Sequence, residues 1–289
     1  MLPFLKIGIY SLLIISLFSG CTKNNENKNS TAGSKKIIII GHAGSGFNYL
    51  FMPFNPYPPN SFQSLKNGLS NGAEGVEVDV QLTADHQLVL YHDNTLDEKT
   101  SLSGFVIDAN SMDVLSTPYK CGFPYDLFHD EKIITFNQWI EYAIQLTEIP
   151  FLQIDLKTGS GLSEAVKDTL LHLIAEELKN VNYPLDKVIA ISGEHAVVTK
   201  ILKNYPHIKC AFQPGEFSKG LEWVVANGCK FIIIDQKYLA PGDVQSAHDK
   251  GIGVIALGGR AKSTFLKLIK MEPDYIQSNN VNLLHRLLQ

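Results

Sequence analysis

Eight short apolar runs recur along residues 37–289 with helical patterns between most of them, and this alternation limits the fold more than any other feature. The runs are Ile37–Gly41, Val76–Val80, Phe151–Leu156, Lys187–Ile191, Ile208–Phe212, Phe231–Ile234, Gly253–Ala256 and Asp274–Ile276. Helical periodicity marks Ser61–Ser70, Asn137–Thr147, Ser163–Asn180, Ala196–Lys203, Gly242–Lys250 and Ser263–Met271. Several runs are almost wholly apolar, as strands covered on both faces must be, and alternating strands and helices predict a parallel sheet. Eight such strands in roughly 250 residues predict an α/β fold, a closed (β/α)8 TIM barrel. A ninth run, Leu88–Tyr91, follows the second strand after only Thr83–Gln87, which is too short for a parallel crossover. It reads as the returning arm of a hairpin-like excursion, a small insertion after the second strand. An open doubly wound sheet is the competing arrangement, but no G-x-G-x-x-G fingerprint supports a dinucleotide.

The barrel occupies residues 37–289 and is preceded by two segments of different character. In residues 1–21, Lys6 precedes the apolar run Ile7 to Phe18, and Leu17-Phe18-Ser19-Gly20-Cys21 looks like a bacterial lipoprotein signal with lipid on the Cys21 thiol. An ordinary signal peptide or an uncleaved anchor is the alternative. Residues 22–36, TKNNENKNSTAGSKK, have almost no apolar content to offset ordering and read as a flexible polar tether. The expected location is therefore an exported bacterial lipoprotein, membrane-anchored on the periplasmic or cell-surface face. A net charge of −4 argues against nucleic acid as a partner, and no obligate protein partner is evident. Past Cys21 remain Cys121, Cys210 and Cys229, an odd number without metal-site spacing. A Cys210–Cys229 bridge is open, with buried thiols the favoured state.

In a barrel, chemistry gathers where strands end and βα loops begin. The stretch GVEVDVQLTADHQLVLYHD, Gly75 to Asp93, places Glu77 and Asp79 on one strand face and Val76, Val78 and Val80 on the other. Two like charges in a partly buried site are costly unless a cation neutralises them, and hard carboxylate oxygens suit Ca²⁺ or Mg²⁺. The first strand ends at His42, and FLQIDLK sets Gln153, Asp155 and Lys157 on a shared face. Singly these are a core histidine, solvated acids and a surface lysine. Together with His92, they place charge at the C-terminal ends of three early strands. The other seven histidines, including His86, His129 and His172, lack that placement and read as surface residues.

Gly41-His42, Glu77-x-Asp79, Thr83-x-Asp85, His92-Asp93, Asn94-Thr95-Leu96-Asp97, Ser103-Gly104, Asp155-x-Lys157 and Asp274-Tyr275-Ile276 form an ordered set. It resembles the glycerophosphodiester phosphodiesterase family, itself similar to phosphatidylinositol phospholipase C, over essentially all of residues 37–289. The resemblance implies metal-dependent hydrolysis of a small-molecule glycerophosphodiester to glycerol phosphate and an alcohol. It implies one divalent cation, Ca²⁺ or Mg²⁺, on Glu77, Asp79 and Asp155. His42 and His92 would be the general base and acid in an order the sequence leaves open, and Lys157 would hold phosphate oxygens. A lyase that stops at a cyclic phosphate, and a metal- or ligand-binding lipoprotein without turnover, are the alternatives.

Departures from the family pattern fall around the substrate. His-Arg-Gly becomes His42-Ala43-Gly44, Pro-Glu-Asn-Thr becomes Pro58-Pro59-Asn60-Ser61, the third metal carboxylate is Asp155 rather than Glu, and Trp-Thr-x-Asn becomes Leu257-Gly258-Gly259-Arg260. A planar phosphate contact is thereby lost, for which Arg260 is a candidate substitute. The loop Phe47 to Asn60, rich in aromatics and proline, reads either as an apolar lip for a bulky alcohol or as a lid packed on the rim. The insertion Ser101–Phe136, with Phe105, Tyr119, Phe123, Tyr125 and Phe128, is expected to form the facing wall.

Overall fold

Parallel pairing closes on itself in this chain. The computed structural model describes residues 36–47, 55–159 and 161–289. The expected signal, the lipidated Cys21 and all but the last residue of the tether lie outside the described residues, as do positions 48–54 of the first loop. In order the elements are β1 (Ile38–Gly41), α1 (Phe62–Ser70), β2 (Gly75–Leu82), β3 (Leu88–Leu90), α2 (Ser111–Ser116), β4 (Ile134–Thr135) and α3 (Phe136–Ala143). They continue with β5 (Phe151–Leu156), α4 (Glu164–Asn180), β6 (Val188–Ser192), α5 (His195–Asn204), β7 (Lys209–Phe212) and α6 (Phe217–Asn227). The chain ends in β8 (Phe231–Asp235), α7 (Asp243–His248), β9 (Gly253–Leu257), α8 (Lys262–Ile269), β10 (Tyr275–Ser278) and α9 (Val281–Leu288). β1 pairs in parallel with both β2 and β10, and the remaining parallel neighbours run β2, β5, β6, β7, β8, β9, β10, so eight strands form the predicted closed barrel. β3 returns antiparallel to β2, and β4 extends that edge, giving the expected excursion after the second strand.

The period-two pattern sorts each strand between two apolar layers. Val76, Val78, Val80, Leu152 and Ile154 face outward into the large layer between strands and helices. Ile40, Ile189, Ile191, Ile233, Ile255 and Tyr275 fill the lumen as a separate cluster. A third cluster, including Val89, Tyr91, Leu96, Val106, Val114, Tyr119 and Ile133, gives the insertion its own small core.

Three helices, α2, α6 and α9, are absent from the periodic patterns above; α2 is a six-residue turn of the insertion. α6 buries Phe217, Leu221 and Val224 at helical spacing, but Gly220 weakens its intrinsic signal. That glycine is needed because a Cβ there would lie 2.2 Å from the Pro214 ring. α9 is short, starts from an Asn280 side chain that accepts from the Leu283 N–H, and buries Val281 and Leu284. Cys210 and Cys229 are free thiols with sulfurs 3.4 Å apart, in agreement with the favoured reading. The histidine expectation needs correction. His86 and His172 are exposed, but the His129 imidazole is only 1% exposed, and His248 bonds Asp274 at 2.8 Å.

Candidate functional site

The register of β2 against β5 sets Asp79 directly beside Asp155 and Glu77 beside Gln153. Glu77 and Asp79 are 2% and 1% exposed, and carboxylate oxygens of Glu77, Asp79 and Asp155 all lie within 4.8 Å of one another. Lys157 follows β5; its backbone N–H donates to Val80 O, and its ammonium reaches Asp79 Oδ1 at 2.7 Å and Asp155 Oδ2 at 2.6 Å. The charges divide unequally. Burial, reinforced by Asp79 and Asp155, raises the Glu77 carboxyl well above its usual range. Burial also raises Asp155 despite Lys157. In Asp79 the burial penalty is outweighed by Lys157, His92 and an Asn60 hydrogen bond, so its pKa falls. Lys157 is desolvated too, but Asp79 and Asp155 keep it firmly protonated.

The turn after β1 is bent tightly against this cluster. Ala43 adopts a left-handed φ of 47° and its N–H donates to Glu77 Oε2 at 2.8 Å. Its buried methyl occupies the position where the family carries arginine, so no guanidinium reaches the carboxylates from here. His42 Nδ1 lies 3.1 Å from Asn279 Oδ1 and its Nε2 lies 3.9 Å from Glu77 Oε2. Burial lowers the imidazole pKa to about 4, with Asp79 pulling the other way. Asn60, with φ of 64°, donates from Nδ2 to Asp79 Oδ2 at 2.6 Å and accepts from the Asp79 N–H at 3.0 Å.

His92 stands on the opposite side of the mouth with 40% of its side chain exposed and Nδ1 2.8 Å from Asp93 Oδ1. That bond draws the Asp93 pKa down. Phe47 separates the two histidines, with its ring 4.9 Å from that of His42 and 4.8 Å from that of His92, both edge-on. A cleft of about 580 Å³ opens beside His92, lined by Asn94, Glu98, Asp155, Lys157 and Thr158. The insertion forms only part of a wall. Phe105 borders an adjoining pocket and Tyr119 a small one beside Tyr91, whereas Phe123 and Phe128 are 82% and 63% exposed and Tyr125 is buried. Arg260 is exposed in the turn after β9, where its carbonyl accepts from Asn280 Nδ2 at 3.2 Å.

All six sequence-chosen residues thus meet at the C-terminal mouth of the barrel. Asn279 was missed as a site residue, and Phe47 and Asn60 were foreseen only as the two ends of a loop at the mouth, without their contacts to the histidines and Asp79. Asn279 directly follows β10, so the strand-end rule applied to the last strand would have found it. The donor set also fits a cation: two buried carboxylates and the half-buried Asp155 share one ammonium, so ionising all three acids leaves negative charge that a cation on these hard oxygen donors would offset.

The profile of the Glycerophosphoryl diester phosphodiesterase family matches residues 42–283. A glycerophosphodiester phosphodiesterase of Caldanaerobacter subterraneus subsp. tengcongensis is 31% identical over 177 residues, 60% of this chain and 65% of that protein. One from Bacillus altitudinis is 29% identical over 163 residues, 54% of this chain and 60% of that one. The chain thus spans just under two thirds of the length of these curated relatives. Among solved structures, an Oleispira antarctica phosphodiesterase in complex with the product sn-glycerol-3-phosphate superposes with a TM-score of 0.74 at 22% identity, covering 86% of this chain and 95% of that one. A Silicibacter pomeroyi protein described as a glycerophosphoryl diester phosphodiesterase gives 0.76 at 15% identity, covering 89% and 94%, and at such identities the likeness is one of fold. With the profile match spanning most of the barrel, the chain belongs to the glycerophosphoryl diester phosphodiesterase family.

Proposed function

We propose that this protein hydrolyses small glycerophosphodiesters to glycerol phosphate and an alcohol, by acid–base catalysis between His42 and His92 on a divalent cation. The observation that carries the reading is the Glu77–Asp79–Asp155 cluster, with His42 beside Glu77 on one flank and His92 lining the cleft that Asp155 and Lys157 border on the other. The relatives' names point to the same chemistry. A ligand-binding protein without turnover would have no use for paired imidazoles, which disfavours that alternative.

Glu77, Asp79 and Asp155 would hold the cation, Ca²⁺ or Mg²⁺, which when bound stabilises charge on the non-bridging phosphate oxygens. Lys157 adds its ammonium to the same oxygens. If His42 carries its proton on Nδ1, facing the Asn279 oxygen, Nε2 is left as an acceptor. Because burial keeps this ring neutral near pH 7, His42 suits the general base that takes the nucleophile's proton. His92, paired with Asp93, suits the acid that donates from Nε2 to the departing alcohol oxygen. The cleft, of about 580 Å³ and lined mostly by polar side chains, suits a deacylated head group rather than acyl chains. Attachment to a membrane through lipid on Cys21 and export from the cytoplasm complete the proposal.

The test is turnover of glycerophosphocholine and glycerophosphoethanolamine by the purified chain with Ca²⁺, Mg²⁺ or chelator, beside His42→Ala. Metal-dependent glycerol phosphate release, cut by about 10²–10⁴-fold in the variant, is expected. Accumulation of a cyclic phosphate would move the assignment to a lyase, and metal binding without any turnover would move it to a binding protein.

A further inference from the structure

A second set of metal-ligating side chains lies in the insertion, away from the barrel mouth. Cys121, Asp126 and His129 each offer one donor atom, and the three atoms lie within 4.8 Å of one another. His129 Nε2 is 3.7 Å from Asp126 Oδ1. The spacing C-x4-D-x2-H matches no familiar zinc pattern, so the sequence alone does not expose it. The loop folding back through Pro124 to Leu127 brings its two ends together.

The independent sign of a ligand is the state of His129. Its imidazole is 1% exposed, yet among the described residues neither Nδ1 nor Nε2 has a hydrogen-bond partner. Leaving both nitrogens of a buried imidazole unpaired forfeits their hydration without replacement, and native interiors rarely carry that without a reason. Asp126 is already oriented, because Oδ1 accepts from the Cys121 N–H at 2.6 Å and Oδ2 from the Gly122 N–H at 3.1 Å. Each of its oxygens retains a lone pair. The carboxylates of Asp126, Glu131 and Asp130 surround His129 with negative charge.

We infer that Cys121, Asp126 and His129 form a structural site for a borderline-soft divalent cation of the Zn²⁺ class, stapling the outer loop of the insertion. A sulfur–nitrogen–oxygen donor set selects such a cation over Ca²⁺ or Mg²⁺, whereas the all-oxygen cluster at the barrel mouth does the reverse. Binding replaces the Cys121 S–H bond by a sulfur–metal bond, and the proton is released to solvent. A solvent molecule completes the fourth position. The staple holds the loop that follows Tyr119, whose hydroxyl reaches Leu90 O at 3.4 Å and whose ring stacks 5.9 Å from Tyr91. It would also fix the exposed Phe123, Leu127 and Phe128, which have little packing of their own.

The experiment is alkylation of the full wild-type chain with iodoacetamide, with and without Zn²⁺, followed by peptide mass mapping of Cys121. With free Zn²⁺ ten times above the dissociation constant, Cys121 modification should slow by about tenfold. Ca²⁺ and Mg²⁺ should leave it unchanged. Cobalt(II) binding supplies a second readout through its thiolate charge-transfer absorption, expected in the wild type and in Asp79→Asn but lost in Cys121→Ser and His129→Asn. Unprotected Cys121 in saturating Zn²⁺, or a cobalt–thiolate band that survives Cys121→Ser, overturns the site. Because these readouts need no substrate, they stand whether or not the phosphodiesterase assignment does.

Discussion

The two ends of the barrel lumen are built on the same strands and obey opposite rules. At the N-terminal end Phe151, Phe231 and Tyr275 meet edge to face at 5.8–5.9 Å, under a layer containing Ile40, Ile189, Ile233 and Ile255. At the C-terminal end the lumen holds Glu77, Asp79, Asp155 and Lys157. β5 passes from one rule to the other in three inward positions: the Phe151 ring, the Gln153 amide and the Asp155 carboxylate. β10 does the same with Tyr275, Gln277 and, just beyond it, Asn279. Between them Gln277 Nε2 donates to Gln153 Oε1 at 2.6 Å, so a paired amide layer separates grease from charge. Apolar packing at one end holds the strand register that forces like charges together at the other.

Glu77→Gln tests that contrast most severely. Turnover should fall by about 10³-fold or more if Glu77 holds the proposed cation, because the charge offset for the phosphate oxygens is then weakened. Stability of the metal-free chain, read from urea unfolding, should stay level or rise, since the most heavily penalised carboxylate has gone. A large loss of stability would mean that the carboxylates hold the barrel mouth together rather than strain it.

Ile255→Ala is the converse at the apolar end. It should cost about 2–5 kcal/mol in unfolding free energy while kcat of the folded protein is unchanged. A fall in kcat without a fall in stability would show that the two ends are not separable in this way.

Glu177, on α4, sharpens the comparison because it is a half-buried acid that, among the described residues, faces Glu141 and forms no salt bridge with a lysine. Among the described residues its Oε2 has no hydrogen-bond partner, and burial, then Glu141, raises its pKa to about 7. The folded state therefore binds this proton more tightly than the unfolded chain, so the destabilisation is absent below the unfolded value near 4.5 and grows as pH rises to about 7. Glu177→Gln should match the wild type at pH 4 and exceed it by about 1–2 kcal/mol at pH 8, after allowance for solvent screening. Equal stability at both pH values would show that α4 leaves this carboxylate hydrated.

The smallest effect is expected from Asn279→Ala, which removes the acceptor that orients His42. One hydrogen bond of about 0.5–1.5 kcal/mol corresponds to a roughly 2–10-fold fall in kcat, with the basic ring still present. Rescue by Asn279→Asp, which restores an acceptor, would confirm positioning; no change in either variant would remove Asn279 from the site.

Local pattern was enough for much of this. Period two put Glu77 and Asp79 on the lumen side of β2 and the valines behind it, because strand geometry allows nothing else. Alternation of strands and helices selected the barrel, and the barrel placed His42, Asp155 and Lys157 at one end. The failures share a cause as well. α6 was hidden by Gly220, which is conformationally poor for a helix but required where Pro214 packs close. His129 looked like a surface residue because its burial depends on how a loop folds over it.

The amino-acid sequence by itself determined the alternating elements, the inward carboxylates and the histidines at strand ends, since each follows from backbone geometry over a few residues. Only the tertiary structure decided that Asn60 clasps Asp79, that Asn279 reaches His42 from the far end of the chain, that Phe47 divides the two imidazoles, and that Cys121, Asp126 and His129 converge. Those are contacts between side chains on separate loops and strand ends, fixed by barrel closure and loop path rather than by any local period.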